Sequence, residues 1–421
     1  MKGLFTFFPD CKLILRSGVT LITMLTVMHT AIAAQPVSTI DIHKIKSSEL
    51  ITGPYSYFVP PYSYYYFHNM DKLDFQFDWI RRAGTVYPLK EPTKSFTTNY
   101  TYKNHTYTLN EYMNRNAVTG FLILKDNQVI YERYFHGANQ QSRFLTNSVG
   151  KSVTSTLVGI ALEEGKIGSV DDPVIKYLPD LSASGFNRVT LKQALEMATG
   201  LALTYDPYDP HSSTLQFNIA VLTGVPSFTN LLKSLKANPK IKPGTIFDYE
   251  NENTEMLGLV IEKTTGMPFN EYLQQKIWSK IGAQSDAFLY RAKTQRDQCA
   301  FGCLSATLRD YGRFGLMMMN GGSLGGTRIV GSAWVKEATT PAKYAKPVDP
   351  SEGLGYGYQW WIPDNGDHAF KALGIFGQIL YVNPTKHIVI VETSAWPKPE
   401  DDERWEESFK VMDAIVAAVS Q

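Results

Sequence analysis

Two pairs of short apolar runs, far apart along the chain, constrain its fold more than any other feature of the sequence. Residues 121–124 and 129–131 flank a turn that contains Asp-Asn, and residues 379–382 and 388–391 flank a turn that contains Asn-Pro. Apolar runs on either side of such a turn are typical of a β-hairpin. Strands toward both ends of the chain predict one sheet that both terminal regions complete.

The chain between the two hairpins has a mostly helical pattern. A helix is expected over 149–164, where Gly165 would end it, and helical signals dominate from 170 to about 290. An amphipathic terminal helix is expected over 403–419. We therefore predict an α/β (α+β) fold in which an antiparallel sheet is flanked by helices, with a mostly helical insertion at about 170–290.

Composition excludes one class of partner. The 421 residues include 41 Lys and Arg against 40 Asp and Glu, a formal net charge of +1, and no Lys/Arg-rich run is present. This balance offers little attraction to a polyanion, so we expect no nucleic-acid partner. The length and the 43% hydrophobic content suit one large globular unit or two closely packed ones.

The N-terminal residues have the pattern of a secretory signal. Three basic residues, the last of them Arg16, precede an uncharged stretch at 17–34 that ends in small residues. This pattern predicts a signal peptide at 1–33, cleaved after Ala33 or the next alanine, and an exported protein, periplasmic or secreted. An uncleaved anchor is the alternative, but four threonines and a histidine make the stretch poorly apolar. We expect no stable membrane anchor after cleavage.

Residues 34–116 differ in composition from the rest of the chain. They are rich in Tyr, Phe and Pro, and the prolines disfavour long regular elements. We predict an ordered but irregular wrap whose aromatic rings pack on the main body, with rings that line a pocket as the alternative. The main domain is predicted to occupy 117–421.

The cysteines are few. Signal cleavage would remove Cys11 and leave Cys299 and Cys303. In an oxidising compartment two cysteines four residues apart can close a small disulfide loop. A buried inert pair and a reactive pair with a partner elsewhere are the alternatives. A catalytic cysteine is not expected, because no histidine lies nearby in the sequence.

An S-x-x-K motif, from Ser148 to Lys151, lies where the strand-rich region gives way to the first predicted helix. At this spacing both side chains lie on one face of the first helical turn and can hydrogen-bond. The helix start also directs free N–H groups and the positive end of its dipole to the same place. A buried lysine can lose its proton at neutral pH and serve as the base for an attacking hydroxyl. The alternative is a serine that only caps the helix, beside a solvated lysine.

A second candidate pair, Tyr249 and Asn251, follows a Pro-Gly-Thr turn and opens a helical segment. At such a turn both side chains can point into one cleft. Tyr249 would relay a proton to a leaving group as a general acid, and the Asn251 amide would hold Lys151 or the substrate. The alternative is a buried tyrosine next to a helix-capping asparagine.

The order of these motifs resembles the serine β-lactamase-like and penicillin-binding family. This family includes class C β-lactamases, D-alanyl carboxypeptidases and related esterases, and the chain is most similar to its 6-aminohexanoate-oligomer hydrolase branch. The resemblance extends from about 120 to 391 and implies a β-lactamase/transpeptidase-like fold. Its segments are 148–151, 171–174, 177–179, 189–191, 199–201, 243–245, 257–258, 306–310 and 355–361.

The family resemblance implies a serine-acylation mechanism. Ser148 would attack a carbonyl carbon, Lys151 and Tyr249 would transfer protons, and water would then cleave the acyl-enzyme. Two backbone N–H groups would hold the oxyanion, one from Ser148 and one from an edge strand. Gly374 matches the glycine of the family's K-T-G motif, so Ile375 would donate the second N–H.

The aligned pocket residues depart from the family in one place. The position of the K-T-G lysine is Ala372, and the neighbouring Lys371 would point to the other face of the strand. Tyr205 and Tyr208 align with an acidic, tyrosine-containing loop over the pocket, and Trp361 aligns with an aromatic pocket wall. An ordinary Pro-rich turn and a core tryptophan are the alternatives.

Together these features predict an exported serine hydrolase, of the amidase or esterase type, that cleaves a small-molecule amide or ester. The alternatives are a β-lactamase, a D-alanyl carboxypeptidase, and a catalytically silent relative that binds a ligand or cell-wall peptide. We expect no cofactor and no metal, because no His/Cys/Asp/Glu cluster has metal-ligand spacing and no Gly-rich phosphate loop follows a strand.

Overall fold

The protein is described by a computed structural model. It describes residues 62–91, 96–204, 212–344 and 353–420. The predicted signal peptide and the two pocket tyrosines, Tyr205 and Tyr208, lie outside the described residues.

Strands and helices follow one another in an order that builds two larger antiparallel sheets with helices around them. The strands are β1 (Gln76–Ile80), β2 (Asn99–Tyr102), β3 (His105–Thr108), β4 (Val118–Lys125), β5 (Gln128–Tyr134), β6 (Phe144–Leu145), β7 (Ala287–Arg291), β8 (Leu304–Ala306), β9 (Ser323–Leu324), β10 (Thr327–Arg328), β11 (Leu354–Tyr356), β12 (Trp361–Pro363), β13 (Phe370–Gly374), β14 (Gln378–Asn383) and β15 (Ile388–Ser394). The α-helices are α1 (Tyr62–Tyr66), α2 (Leu109–Arg115), α3 (Val149–Glu163), α4 (Val174–Tyr177), α5 (Leu191–Leu195), α6 (Ser213–Thr223), α7 (Phe228–Ser234), α8 (Asn251–Thr265), α9 (Phe269–Leu273), α10 (Leu308–Met319), α11 (Ser332–Ala338) and α12 (Asp402–Val419). Short 3-10 helices lie at Met70–Lys72, Pro179–Leu181 and Gly185–Arg188, and a π-helical turn lies at Gln274–Trp278.

A seven-stranded antiparallel sheet, in the order β11-β12-β13-β14-β15-β4-β5, forms the centre of the fold. Both predicted hairpins are confirmed, as β4–β5 and β14–β15, and β15 pairs with β4, so both ends of the chain complete one sheet. The strand that carries Gly374, β13, is not an edge strand, contrary to the prediction. It pairs with β12 through Trp361 and Lys371, and β11 extends the sheet further.

Side chains alternate between the two faces of this sheet, and both faces are covered. Along β4, Leu122 and Leu124 belong to one hydrophobic core, while Phe121 and Ile123 belong to another. The first core includes side chains of α3 and α10, and the second includes side chains of α2 and α12. The predicted arrangement of an antiparallel sheet flanked by helices is therefore confirmed.

The described part of the predicted wrap at 34–116 packs on the main body. Its strand β1 pairs with β7 in a second sheet of order β1-β7-β8-β6. Tyr62, Tyr66 and Phe67 are buried in the first core. The segment also contains the short hairpin β2–β3 and helix α2. The domain boundary at 116–117 stays a prediction.

The insertion at about 170–290 contains helices α4 to α9 and, at its end, β7. Its longest helix, α8, ends at Gly266, whose φ of 70° lies in the left-handed region that favours glycine. Helix α8 packs against α3, and this contact joins the two predicted motifs. Within the ranges that the structure describes, no helix combines the length and the apolar character that crossing a bilayer requires.

Helix α8 also makes a close contact with the segment at 299–303. A Cβ atom built on Gly258 would lie 2.4 Å from the Cβ atom of Ala300. Real Cβ atoms essentially never approach so closely, so the absence of a side chain at Gly258 permits this packing.

We expect Gly258→Ala to destabilise the protein, although alanine has the higher helix propensity. The gain in propensity is about 1 kcal/mol, whereas overpacking a well-packed interior costs about 1–3 kcal/mol. Ala300→Gly in the same chain removes the opposing methyl group and should restore part of the lost stability. Urea unfolding of both single variants and the double variant measures this coupling. Strictly additive effects would contradict the contact.

Candidate active site

Ser148 lies where β6 leads into α3. It is half-buried and immediately precedes the helix, yet its side chain makes no capping hydrogen bond. The preceding residue, Asn147, has a φ of 47°, a conformation that asparagine tolerates better than most residues. The interpretation of Ser148 as a plain helix cap therefore does not fit the structure, and the hydroxyl is available to another partner.

That partner is Lys151, on the first turn of α3. Its Nζ atom lies 2.8 Å from Ser148 Oγ, 2.7 Å from Asn251 Oδ1 and 3.3 Å from the carbonyl oxygen of Phe301. Only 1% of Lys151 is exposed, so the alternative of a solvated lysine is wrong. Three acceptors match the three N–H donors of an ammonium group. The surrounding groups thus fix the lysine beside the serine hydroxyl.

Burial lowers the pKa of Lys151 to about 7, because removing the ammonium group from water disfavours its charged form. The negative charges of Glu252 and Glu250 oppose this decrease. At neutral pH a lysine with this pKa is uncharged in a large fraction of molecules, whereas an ordinary lysine is almost fully protonated. Lys151 can therefore accept a proton from the Ser148 hydroxyl.

Tyr249 approaches the same two residues from the turn before α8. Its ring centroid lies 5.0 Å from Lys151 Nζ, and its side chain interacts with that of Ser148. Burial raises the pKa of Tyr249 above its ordinary value, and the interaction with Ser148 offsets only part of this increase. The phenol therefore keeps its proton at neutral pH and can donate it.

The end of β13 lies directly against the start of α3. A Cβ atom built on Gly374 would lie 2.3 Å from the carbonyl oxygen of Thr146 and 3.1 Å from the backbone nitrogen of Ser148. Only glycine permits this approach. The carbonyl oxygen of the next residue, Ile375, accepts a hydrogen bond of 3.1 Å from Asn147 Nδ2. The two predicted oxyanion donors thus belong to adjoining segments, and their role stays a prediction.

Ala372, at the position of the K-T-G lysine, and its neighbour Lys371 lie on opposite faces of β13. Ala372 is buried in the same core as Val149 and Val153 of α3. Lys371 Nζ lies 3.5 Å from the ring centroid of Phe409, which is on α12 at the other face of the sheet. Lys371 therefore points away from Ser148, as strand alternation predicts.

Aromatic rings surround Tyr249. The ring centroid of Trp361 lies 5.4 Å from that of Tyr249 and 5.0 Å from that of Tyr356, and Phe247 completes the cluster at 5.8 Å from Trp361. Trp361 is only 8% exposed. It is thus a residue of a small aromatic core and a direct neighbour of the candidate proton donor, and its role as a pocket wall stays a prediction.

Cys299 and Cys303 form a disulfide, with their Cα atoms 5.7 Å apart. The loop that it closes contains Phe301, the residue whose carbonyl oxygen accepts the hydrogen bond from Lys151. Motif analysis did not identify Phe301, because its contribution to the site is a backbone oxygen that no side-chain pattern marks. The disulfide loop is therefore one wall of the lysine site.

Three glutamates near the site were also not predicted: Glu250, Glu252 and Glu400. Glu400 Oε2 accepts a hydrogen bond of 2.7 Å from Trp405 Nε1, and burial raises the pKa of Glu400 to about 7. Its charge acts on Tyr249, although only the fold brings the two residues together. In the part of the chain that the structure describes, the His, Cys, Asp and Glu side chains form no group of three or more that could hold a metal ion.

Known proteins are similar to this chain over most of its length. A 6-aminohexanoate-dimer hydrolase from Paenarthrobacter ureafaciens is 31% identical over 314 residues, which cover 70% of this chain and 77% of that protein. An Escherichia coli K12 protein, provisionally named a D-alanyl-D-alanine carboxypeptidase, is 24% identical over 346 residues, with coverage of 66% and 77%.

A similar fold is found among solved structures. A structure from Bacillus anthracis, provisionally named a 6-aminohexanoate-dimer hydrolase, superposes with a TM-score of 0.76 at 25% identity and covers 86% of this chain and 95% of that chain. The family model described as beta-lactamase matches residues 91–411. With the serine and lysine motif in place, these matches show that the chain belongs to the beta-lactamase family and is a serine hydrolase.

Proposed function

We propose that the protein cleaves a small amide or ester through an acyl-enzyme on Ser148, with Lys151 and Tyr249 as proton-transfer groups. The observation that carries this proposal is the 2.8 Å contact between Lys151 Nζ and Ser148 Oγ in a site where the lysine is buried. A hydroxyl at this distance from an uncharged amine can lose its proton as it attacks a carbonyl carbon.

The proposed reaction has two halves. Ser148 Oγ bonds to the carbonyl carbon while its proton passes to Lys151, and the N–H groups of Ser148 and Ile375 hold the negative charge on the carbonyl oxygen. Collapse of the intermediate breaks the bond to the leaving nitrogen or oxygen, which receives a proton from Tyr249, and Lys151 returns a proton to Tyr249. Water then attacks the acyl group with the same groups moving protons, and the Ser148 hydroxyl is restored.

The surroundings of Tyr249 favour an elongated, weakly charged acyl group. β-Lactams and D-alanyl peptides carry a carboxylate near the scissile amide, which the K-T-G lysine of the family helps to hold, whereas this chain has Ala372 there. The rings packed around Tyr249, among them Trp361 and Phe247, are apolar. A relative whose name describes the hydrolysis of a 6-aminohexanoate dimer supports a linear amide but not a neutral one, because that dimer ends in a carboxylate that is distant from the amide bond. We therefore propose as substrates linear amides or esters without a carboxylate near the scissile bond.

We expect Ser148→Ala to abolish fluorophosphonate labelling and ester hydrolysis without unfolding the protein. The Ser148 side chain makes no capping hydrogen bond, so its removal should cost no more than about 1 kcal/mol of stability. Ser155→Ala is the matched control, because Ser155 lies on the same helix and its buried Oγ has no partner among the described groups. Peptide mapping of the labelled wild type should place the adduct on Ser148. Wild-type turnover by the folded Ser148→Ala variant would contradict the mechanism.

We expect the protein to prefer p-nitrophenyl butyrate to nitrocefin. Moving an unpaired carboxylate from water into a partly dehydrated cleft costs about 2 kcal/mol or more unless a cation pairs with it. The test compares kcat/KM for both substrates on one enzyme preparation, with Ser148→Ala as the blank. A strong preference for nitrocefin would show that another cation takes the place of the family's K-T-G lysine, whose position is Ala372 in this chain.

We also propose that the protein is exported and that residues 1–33 are its signal peptide. The disulfide between Cys299 and Cys303 supports this proposal, because disulfides persist mainly in oxidising compartments.

After expression of the full chain in a Gram-negative host, we expect a mature protein in the periplasm or the medium that begins at residue 34 or 35. Mass spectrometry of the N-terminal peptide checks this expectation. Replacement of both Ala33 and Ala34 by tyrosine should block processing, because signal peptidase requires a small residue directly before either cleavage site. An intact N-terminus on wild-type protein in the membrane fraction would instead support the anchor.

A further inference from the structure

Two glutamates lie beside the lysine site without a role in the reaction proposed above. Glu250 and Glu252 flank Asn251 at the start of α8, and they are only 4% and 1% exposed. In each carboxyl group the Oε1 atom is buried without a hydrogen-bond partner among the described groups. Carboxyl groups are rarely buried in this way, because a buried charge needs a partner.

The two carboxyl groups are close to each other. Their side chains are in polar contact, and burial together with the neighbouring carboxyl group raises the pKa of Glu250. Burial also raises the pKa of Glu252. Two ionised carboxylates in such a contact would repel each other, whereas one shared proton converts the contact into a hydrogen bond. A pair with one proton carries a single negative charge.

The positive charge of Lys151 lies nearby. Both glutamates act electrostatically on Lys151, and Asn251, which separates them in the sequence, accepts a hydrogen bond from Lys151 Nζ at 2.7 Å. Asp248 acts on Glu252 from the preceding turn. Of the charged groups on the other elements near α3, Lys371 lies on the far face of β13 against Phe409. The charge of Lys151 and that of the glutamate pair therefore balance when the pair holds one proton.

We propose that Glu250 and Glu252 share one proton and act as positioning residues, whose single negative charge stabilises the protonated form of Lys151. This inference rests on the proposed function, because it concerns the base that activates Ser148. In the first half of the reaction Lys151 takes the Ser148 proton and becomes an ammonium group. The negative pair compensates that new charge, and Lys151 is a stronger base than burial alone would allow.

A proton shared by Glu250 and Glu252 predicts how glutamine variants at these two positions change the pH–rate profile. Glutamine imitates a protonated carboxyl group, so Glu250→Gln and Glu252→Gln each leave one ionised carboxylate beside one neutral group. Each single variant should keep the acid limb of the pH–rate profile close to that of the wild type. The double variant loses the negative charge, so the pKa of Lys151 should fall further and the limb should move to lower pH by about one unit or more.

The experiment measures the rate of fluorophosphonate labelling at Ser148 against pH for the wild type, both single variants and the double variant. The labelling rate of the wild type should rise with pH through the pKa of Lys151, about 7, because only the uncharged amine accepts the serine proton. Glu255→Gln is the matched control. Glu255 is buried on the same helix and accepts a hydrogen bond from the Ala300 N–H at 2.9 Å, so its substitution should leave the limb in place.

Two results would contradict the proposal that Glu250 and Glu252 share one proton. An unchanged limb in the folded double variant would mean that the pair carries no charge, and equal additive shifts in the two single variants would mean that it carries two. If the double glutamine variant does not fold, Glu250→Met with Glu252→Met, which needs no hydrogen-bond partners, is measured in the same way. Absence of Ser148 labelling in the wild type at every pH would instead contradict the proposed function.

Discussion

The contact between Lys151 and Ser148 requires that the surrounding structure both bury the lysine and hold its amine in place. The lysine must be buried to lose its proton near neutral pH, and a buried amine must still be held by acceptors. Three segments that are distant in sequence meet these conditions together. Helix α3 supplies Lys151, and the residue directly before it is Ser148. The first residue of α8, Asn251, accepts one hydrogen bond from the lysine, and the disulfide loop supplies the carbonyl oxygen of Phe301. The close packing of Gly258 on Ala300 brings the second and third of these segments together.

Local regularities in the sequence predicted much of this fold and the centre of the site. Strands β4, β5, β14 and β15 are long enough for turn signals and apolar runs to identify them, and a spacing of three residues on one helix predicts the contact between Ser148 and Lys151. Strands β11 and β12 have three residues each, too few for a periodic pattern, so the position of β13 inside the sheet could not be predicted. The carbonyl oxygen of Phe301 and the charge of Glu400 reach the site only through tertiary packing, which no local pattern encodes.

Burial lowers the pKa of Lys151 and nearby negative charge raises it, so the amount of negative charge determines how basic the lysine is. Burial alone would lower the pKa of the lysine further and make it a weak base. A general base is most effective when its pKa lies near the working pH, and a pKa of about 7 meets that requirement. The single negative charge that we propose for Glu250 and Glu252 raises the pKa of Lys151 and so opposes the effect of its burial.

The region around β13 and Tyr249, where a substrate would bind, differs in charge from the region around Lys151. Lys371 packs on Phe409 behind the sheet, and Ala372 places no cation where the family has a lysine. Glu400, whose charge acts on Tyr249, adds negative potential instead. Burial raises the pKa of Glu400 to about 7, so this carboxyl group becomes increasingly charged as the pH rises through the range in which Lys151 loses its proton. A substrate carboxylate next to Tyr249 would thus lose its hydration and meet a like charge under the conditions in which the base is active. The proposed discrimination against substrates with a carboxylate at this place therefore rests on the charge of Glu400 as well as on the absence of a lysine at position 372.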